Sequence, residues 1–303
     1  MRDAFVKTLL VEARKDPNII LITGDLGFGV LDEFQRELPN QFINSGVNEQ
    51  TMMGMAAGIA STGKRVFVYS IANFPTLRCI EQIRNEVAMM NNPVVVVSVG
   101  AGYAYGSQGY THHALEDIAI LRALPNMDVI SPCDPYETES ITKYLASSKK
   151  PSYLRLGKSN EKQIHPNIPE INAGKFNTLR VGRNGSILAT GSVCKIALEA
   201  ADKLNEMGIS ISVYSVPFVS KLDLEELKEI SAFGPIVTVE EHSYRGGLGS
   251  SVLETCALQN IKAQIHLIAA NQNNLSQIGS QDYLRDKNGI NVENIISIFN
   301  SAS

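Results

Sequence analysis

The chain has 303 residues, of which 44% are apolar and 19% are charged, and its formal net charge is −4 at pH 7. This length and composition suffice for two domains with sizeable buried cores. The mild negative charge and the lack of a long Lys or Arg run argue against nucleic acid or anionic membranes as main partners. No apolar run approaches the ~20 residues that span a bilayer, and no signal peptide is evident, so we expect a soluble, cytoplasmic protein.

The four cysteines are widely spaced and form no CxxC pair. This pattern favours structural thiols in a reducing compartment over disulfides or a zinc site. We therefore expect no metal ligands among the cysteines of this chain.

The first half of the chain alternates short β-branched runs with longer helical stretches. Apolar residues on one face predict a helix over 3–15, and the run IILIT predicts a buried strand over 19–23. The pattern then predicts, in order, a strand at 42–44, a helix at 48–62, a strand at 65–69, a helix at 76–90 and a strand at 94–99. A glycine-rich loop to about residue 111 follows, and then a helix, a strand at 129–130, a helix after Pro135 and a strand at 153–156.

The second half repeats this alternation after a polar segment. Residues 157 to about 180 are rich in Asn, Pro, Lys and Glu, which is typical of a linker. Strands are then predicted at 186–190, 209–214, 236–240 and 265–268, with helices between them. The predicted fold is α/β, with two three-layer domains and mainly parallel sheets at 1–160 and 181–303, joined by a linker at 161–180. Ligands on such sheets bind beyond the carboxyl ends of strands.

The run GVNEQ at 46–50 follows a predicted strand and opens a helix. Glu49 lies in the first turn, where the helix dipole favours a carboxylate, so an ordinary first-turn acid remains one interpretation. Small residues (Gly54, Ala57, Gly58 and Ser61) form a stripe along this helix, although each interior glycine costs ~1 kcal/mol relative to alanine. The stripe suggests that another helix or a ligand approaches closely.

The loop at 100–106 has the sequence GAGYAYG, which superficially suggests a dinucleotide fingerprint. We reject that interpretation because the spacing is GxGxxxG and the chain continues as SQGYTHH rather than entering a helix. His112 and His113 end the loop, and adjacent histidines rarely point to one metal ion. Acid–base work or hydrogen bonding to a ligand by one of them, and a bland surface role, both remain open.

The run EEH at 240–242 ends a predicted strand and is followed by RGGLG at 245–249. Paired glycines at a strand-to-helix junction usually indicate tight backbone packing. We favour that structural interpretation over a ligand site.

Together these runs resemble the transketolase family of thiamine diphosphate enzymes over nearly the whole chain. The matching features occur in this order: SGVNEQ at 45–50; Phe74, Arg78 and EQIR at 81–84; GYTHH at 109–113; and VEEH at 239–242 with GGLG at 246–249. No single run is decisive, but their order and spacing make the combination specific.

The resemblance implies two cofactors, thiamine diphosphate and Mg²⁺. The family's diphosphate motif begins with Gly-Asp-Gly, and no Gly-Asp-Gly occurs in this chain. The resemblance therefore implies that a separate N-terminal subunit holds the diphosphate and most of the metal coordination. We expect an α2β2 assembly that includes self-association of this chain.

The resemblance also implies roles for individual residues. Glu49 would be the catalytic carboxyl that shares a proton with the cofactor's aminopyrimidine ring. Phe74 would stack on that ring, and Asp25 and Arg78 would also lie at the cofactor. His112 would contact donor-sugar hydroxyls and take part in catalysis.

Three further positions bear on the substrate. Gln108 stands where family members carry an Asp that recognises a donor hydroxyl, and Gly100 stands where they carry a phosphate-contacting His. Arg155 matches a phosphate-contacting Arg of the family. We therefore expect transfer of a two-carbon ketol unit between a ketose and an aldose, with an altered donor.

Two other functions remain open. The chain resembles, less closely, the beta subunits of 2-oxoacid dehydrogenases, so a decarboxylating 2-oxoacid enzyme is one alternative. A non-catalytic assembly subunit is the other, and the presence of Glu49 argues against it.

Overall fold

The computed structural model describes residues 1–159, 161–271 and 276–302 and confirms the predicted α/β class. The first sheet has six strands: β1 (Ile19–Thr23), β2 (Phe42–Asn44), β3 (Arg65–Ile71), β4 (Val94–Val99), β5 (Asp128–Ile130) and β6 (Ser152–Leu156). Their order is β2-β1-β3-β4-β6-β5, and every paired neighbour is parallel. All carboxyl ends therefore lie at one edge of this sheet.

Helices cover both faces of the first sheet. They are α1 (Arg2–Lys15), α2 (Asp32–Glu37), α3 (Glu49–Ser61), α4 (Ile80–Gln82), α5 (Asp117–Arg122) and α6 (Pro135–Ser147). Leu21, Phe67 and Val97 pack in one buried core with residues of α1 and α6. Ile22, Val68 and Val96 face the opposite way, into a core with residues of α3 and α5. This alternation follows from the two-residue period of side chains along a strand.

The helix predicted over 76–90 is not a regular α-helix. It begins as a 3₁₀ turn at Leu77–Cys79, continues through the short α4, and widens into a π-helix at Ile83–Met89. No Pro or Gly lies within 77–89 to signal these changes, so the apolar spacing alone could not reveal them.

The second sheet has five strands: β7 (Asn177–Arg180), β8 (Ser186–Ala189), β9 (Ser212–Ser215), β10 (Ile236–Ser243) and β11 (Ile265–Ala270). Their order is β11-β10-β8-β9-β7, and only β7 runs antiparallel to its neighbour. Its helices are α7 (Cys194–Glu206), α8 (Leu224–Ser231), α9 (Leu248–Leu258), α10 (Gln281–Lys287) and α11 (Val292–Ala302).

Strand β7 falls within 161–180, the segment predicted as a linker. It is a partly exposed edge strand with the sequence NTLR, which lacks the apolar alternation of a buried strand. Its polar composition explains why the sequence suggested a loop there.

The cysteines are all buried and none forms a disulfide, as the sequence predicted. Within the described residues, no helix is both long enough and apolar enough to cross a membrane.

Candidate active site

The candidate residues gather where β1 to β4 end. The loops after these strands carry Asp25, Glu49, Phe74 and the glycine-rich loop, which we define as residues 100–113. Parallel strands place their carboxyl ends together, so residues far apart in sequence become neighbours.

Glu49 is the first residue of α3 and is only 7% exposed. Its Oε1 lies 3.2 Å from Nη1 of Arg78, and no hydrogen bond reaches Oε2 from the described residues. A cleft of about 350 Å³ opens here, lined by Asn48, Glu49, Gln50, Thr51 and Arg78. One oxygen of this largely buried side chain is thus available to a ligand in the cleft.

Phe74 connects this carboxylate to the glycine-rich loop. The guanidinium of Arg78 lies over the Phe74 ring, 3.9 Å from its centroid. Phe74 also contacts the His112 ring, which meets it edge-on at a centroid distance of 5.4 Å. Glu49, Arg78, Phe74 and His112 therefore form one continuous wall.

The structure separates the two adjacent histidines. His112 is partly exposed, and its Nδ1 lies 3.0 Å from Oγ1 of Thr111. His113 is 1% exposed, with Nε2 3.2 Å from the carbonyl oxygen of Gly106, and burial lowers the pKa of His113. His112 is thus free to meet a ligand, whereas His113 fastens the loop.

Gln108 and Asp25 lie outside this wall. Gln108 is exposed in the 3₁₀ turn Gly106–Gln108 of the glycine-rich loop. Asp25 is exposed with φ +57°, and its Oδ1 accepts a hydrogen bond from Nδ2 of Asn44 at 3.1 Å. Neither residue lines the Glu49 cleft.

The placement of Arg155 speaks against the predicted contact with a substrate phosphate. Its side chain is 2% exposed, and Nε donates to Oδ2 of Asp117 at 2.7 Å. Its Nη2 donates to the carbonyl oxygens of Ala114 (2.7 Å) and Glu241 (2.9 Å). Burial alone would raise the pKa of Asp117, but the Arg155 charge holds that pKa below its ordinary value. Arg155 therefore joins the domains from inside the protein.

Lys158 is a cation that sequence reasoning missed. Its Nζ lies 4.4 Å from the centroid of the Tyr105 ring, and Tyr105 in turn lies 6.4 Å from the His112 ring. Lys158 is half-buried and makes no carboxylate ion pair within the described residues. Gly100 has φ +110°, and the Tyr105 ring fills the space where a side chain at 100 would stand. In the sequence, the only sign of this arrangement was a glycine, Gly100, followed closely by an aromatic residue, Tyr105.

The run EEH belongs to the interior of the second domain. Glu240 accepts hydrogen bonds from the backbone N of Leu248 (2.7 Å) and Gly249 (2.9 Å). A Cβ on Gly246 would lie 2.5 Å from Cβ of Ala119 in the first domain. The structure thus supports the predicted tight packing at these glycines. His242 is fully buried, and this burial lowers its pKa to about 4.

Three buried residues form a group of potential metal ligands, and most of their ligand atoms already make polar contacts, although Nε2 of His165 has no hydrogen-bond partner within the described residues. The ligand atoms of Cys133, Glu137 and His165 lie within 4.8 Å of one another. However, Glu137 accepts from the backbone N of Cys133 (2.6 Å) and from Oγ of Ser215 (3.0 Å). His165 Nδ1 lies 3.1 Å from Oδ2 of Asp134. These contacts account for the cluster as a fastening between the sheet, the polar segment and the second domain.

The small-residue stripe of α3 borders an open groove. The groove measures about 500 Å³ and is also lined by Met89 and Met90, which are both about 60% exposed. A Cβ on Gly58 would meet nothing within 4 Å, so the close approach predicted for this stripe stays a prediction.

Two family models cover most of the chain. Residues 1–163 match the model of the transketolase pyrimidine binding domain, and residues 174–295 match that of the transketolase C-terminal domain. The chain belongs to the transketolase family.

Within the transketolase family, the chain is similar over most of its length to subunits of split enzymes. It is 38% identical to one subunit of the apulose-4-phosphate transketolase of Phocaeicola vulgatus, over 87% of this chain and 86% of that protein. It is 32% identical to a 6-deoxy-6-sulfo-D-fructose transketolase subunit of a Clostridium species, over 98% of this chain and 92% of that protein. A solved structure of a split-gene transketolase, described as an inactive beta4 tetramer, is 31% identical, with a TM-score of 0.92 over 99% of this chain and 97% of that one. The chain thus corresponds to the C-terminal subunit of a split transketolase.

Proposed function

We propose that this chain is the C-terminal subunit of a thiamine diphosphate-dependent transketolase. It would transfer a two-carbon ketol unit from a ketose to an aldose, together with a partner subunit. The observation that carries the proposal is the buried Glu49 carboxylate, whose Oε2 accepts no hydrogen bond within the described residues and which opens on a cleft of about 350 Å³.

The cleft would receive the aminopyrimidine half of thiamine diphosphate. When bound, this cofactor supplies the nucleophilic carbon and stabilises the carbanion left after carbon–carbon cleavage. Glu49 would hold a proton between its Oε2 and the ring nitrogen. Arg78 covers one face of Phe74 but is half-exposed, so a flat ring could replace it there.

Substrate contacts would come from the glycine-rich loop. His112, which borders Phe74, would donate hydrogen bonds to donor hydroxyls and exchange a proton with them. Gln108 would contact a further hydroxyl as a neutral amide. In place of Arg155, the ammonium of Lys158 would contact a substrate anion, since it lies beside Tyr105 and forms no carboxylate ion pair within the described residues.

The missing half of the site points to a partner chain. No Gly-Asp-Gly occurs in the sequence, so the diphosphate and Mg²⁺ would be held by an N-terminal subunit in an α2β2 assembly. The similar split-gene transketolase is an inactive beta4 tetramer in its solved structure, which supports inactivity and self-association of this chain alone.

The donor is proposed to differ from the usual pentose phosphate. Two similar proteins are named for apulose-4-phosphate and for a sulfonated fructose, so related subunits serve unusual donors. Specificity constants for xylulose 5-phosphate and a panel of other ketoses, with and without phosphate, would identify the donor. If the complex releases carbon dioxide from a 2-oxoacid and transfers no ketol unit, the protein is a decarboxylating 2-oxoacid enzyme instead.

The test of the catalytic carboxyl is Glu49→Gln in the complex with the partner subunit. The amide keeps the shape but cannot share the proton, so the rate should fall by about 10²–10⁴-fold. Exchange of the cofactor's acidic ring proton, followed by NMR, should slow in parallel. Glu33→Gln is the matched control, because Glu33 is an exposed first-turn acid of α2 that lines no part of the cleft. Equal effects of the two variants would reduce Glu49 to an ordinary first-turn acid.

A further inference from the structure

Glu241 of the second domain reaches across the domain boundary into the glycine-rich loop. The residue is 4% exposed, and Oε1 accepts a hydrogen bond from the backbone N of Tyr103 at 2.5 Å. The pairing of β10 with β11 shifts register between Val239 and Ser243, and Glu241 lies in this irregular stretch. A carboxylate of one domain thus holds a main-chain amide of the other.

Residues of α10 fix the position of this carboxylate. Nε2 of Gln281 lies 2.9 Å from Oε1 and 3.1 Å from Oε2 of Glu241. Arg285 donates from Nε to Oε2 at 2.7 Å and pairs with the same oxygen through Nη2. Nη2 of Arg285 also donates to Oγ of Ser192 at 2.7 Å. Glu241 is therefore oriented by its own domain before it meets Tyr103.

The second domain also shapes the loop through close contacts at its glycines. A Cβ on Gly102, which has φ +59°, would lie 2.5 Å from Cγ of Glu241. A Cβ on Gly106 would lie 2.6 Å from the carbonyl oxygen of Gly279, and one on Gly109 would lie 3.2 Å from Cγ2 of Ile278. Only residues without a side chain allow this approach at 102 and 106. The tip of the loop is therefore moulded against the second domain.

The first domain holds the base of the same loop. Nε2 of the buried His113 ring contacts the carbonyl oxygen of Gly106. Nδ2 of Asn73 donates to the His113 carbonyl oxygen at 2.8 Å. Gln108 and His112 lie within the stretch of the loop that these contacts hold. Their positions relative to Glu49 consequently depend on both domains.

We propose that Glu241 is a positioning residue that sets the glycine-rich loop for the donor substrate. This inference rests on the proposed function as far as the donor is concerned. Glu241 acts through the Tyr103 amide on His112 and Gln108, and its hydrogen bonds reach neither Glu49 nor Arg78. Its loss should weaken handling of the donor while leaving activation of the cofactor intact.

The first experiment needs neither partner nor substrate. Amide hydrogen exchange, followed by mass spectrometry on the isolated full chain, compares wild type with Glu241→Gln and Glu240→Gln. Glu240 is a matched control because it is equally buried on the same strand but faces the amides of Leu248 and Gly249 instead of the loop. Faster exchange over 100–113 in Glu241→Gln alone supports the proposal. Unchanged exchange of the Tyr103 amide overturns it.

The second experiment measures the complex with its partner subunit and the best ketose donor of the panel. Displacing the loop should lower kcat/KM for the donor by on the order of 10²-fold, mainly through KM. Exchange of the cofactor's ring proton should keep its wild-type rate in Glu241→Gln, and both readings should stay unchanged in Glu240→Gln. An equal loss of donor use and cofactor proton exchange would mean that Glu241 merely supports the fold, and would overturn the proposal.

A milder variant covers the case in which Glu241→Gln does not fold. Gln281→Ala removes one holder of the carboxylate but leaves Arg285 in place, so it should speed amide exchange in the loop and lower kcat/KM for the donor, each by less than Glu241→Gln would. If it moves neither, the proposal fails. If the wild-type complex shows no cofactor proton exchange at all, the proposed function fails, and the amide-exchange comparison still decides whether Glu241 holds the loop.

Discussion

Protonation of Glu240 should give the stability of this protein a distinct pH dependence. The carboxyl is fully buried and accepts two backbone hydrogen bonds at the start of α9. Burial raises the pKa of Glu240 to about 7, because desolvation outweighs the two amide donors. Replacing it by Glu240→Gln removes the titrating group and keeps its size.

The direction in which stability changes with pH follows from the pKa of Glu240 in the unfolded and in the folded chain. The unfolded chain releases the Glu240 proton near its ordinary pKa of 4.5, whereas the folded chain keeps it up to about 7. This contribution to stability is fully present below pH 4.5 and is lost as the pH rises through 7. At about 1.4 kcal/mol per pKa unit, the gap corresponds to ~3 kcal/mol. The free energy of unfolding of Glu240→Gln, minus that of wild type, should therefore rise by ~3 kcal/mol between pH 4.5 and 8.

A constant offset adds to this trend. The amide has one acceptor oxygen for two backbone donors, so losing one hydrogen bond should cost about 1–3 kcal/mol at every pH. The assay is urea unfolding of both proteins at a series of pH values, followed by circular dichroism. Contributions of all other groups cancel in the difference, so a difference that does not vary with pH would refute the assignment of the raised pKa to Glu240.

Three further predictions concern the substrate side and the polar segment. Gln108→Asp should shift specificity constants toward xylulose 5-phosphate, because a carboxylate accepts a sugar hydroxyl in a stronger, charge-assisted hydrogen bond; an unchanged ratio would mean that Gln108 does not face the donor. Lys158→Ala should raise KM for phosphorylated donors without altering urea unfolding, whereas Arg155→Met should lower the free energy of unfolding by about 3–5 kcal/mol because it removes one partner of a buried ion pair. A raised KM for phosphorylated donors in the Arg155 variant, with no change in Lys158→Ala, would mean that Arg155 contacts the substrate after all. For His165, burial alone would lower the pKa, but the hydrogen bond to Asp134, the contact with Cys133 and the charge of Glu137 together raise the pKa to about 10. The resulting stabilisation is fully present below pH 6.5 and is lost as the pH rises through 10. The urea concentration at the unfolding midpoint should decrease as the pH is raised from 7 to 10 in the wild type, and it should decrease less in His165→Gln.

Elements with strong local signals were predictable from the sequence. The run VVVVSV at β4 is β-branched and apolar, and it is fully buried in the structure. The position of Glu49 at the start of α3 could be predicted because a strand, a turn with Gly46 and a helix start follow one another in order, whereas its catalytic role came only from the family resemblance and stays a proposal. Local chemistry determines such features, so the sequence alone reveals them.

Features that depend on distant partners were not predictable. Arg155 lies in a strand whose side chains point to both faces, and its acid partner Asp117 is 38 residues away. Nothing near Arg155 shows that this acid will lie inside, so the residue suggested a ligand contact. Glu241 is similar, because its partner amide belongs to the other domain. In both cases tertiary packing, which no local pattern encodes, decides the role.

The contact between Glu241 and Tyr103 also has a consequence for synthesis of the chain on the ribosome. The two residues are 138 positions apart, so Tyr103 emerges long before its partner exists. At 5–20 residues per second, the delay is roughly 7–28 s, while domains fold as units from the N-terminus. The first domain should therefore complete its sheet with the loop tip still unformed, and the loop should gain protection from proteases only once α10 has left the exit tunnel.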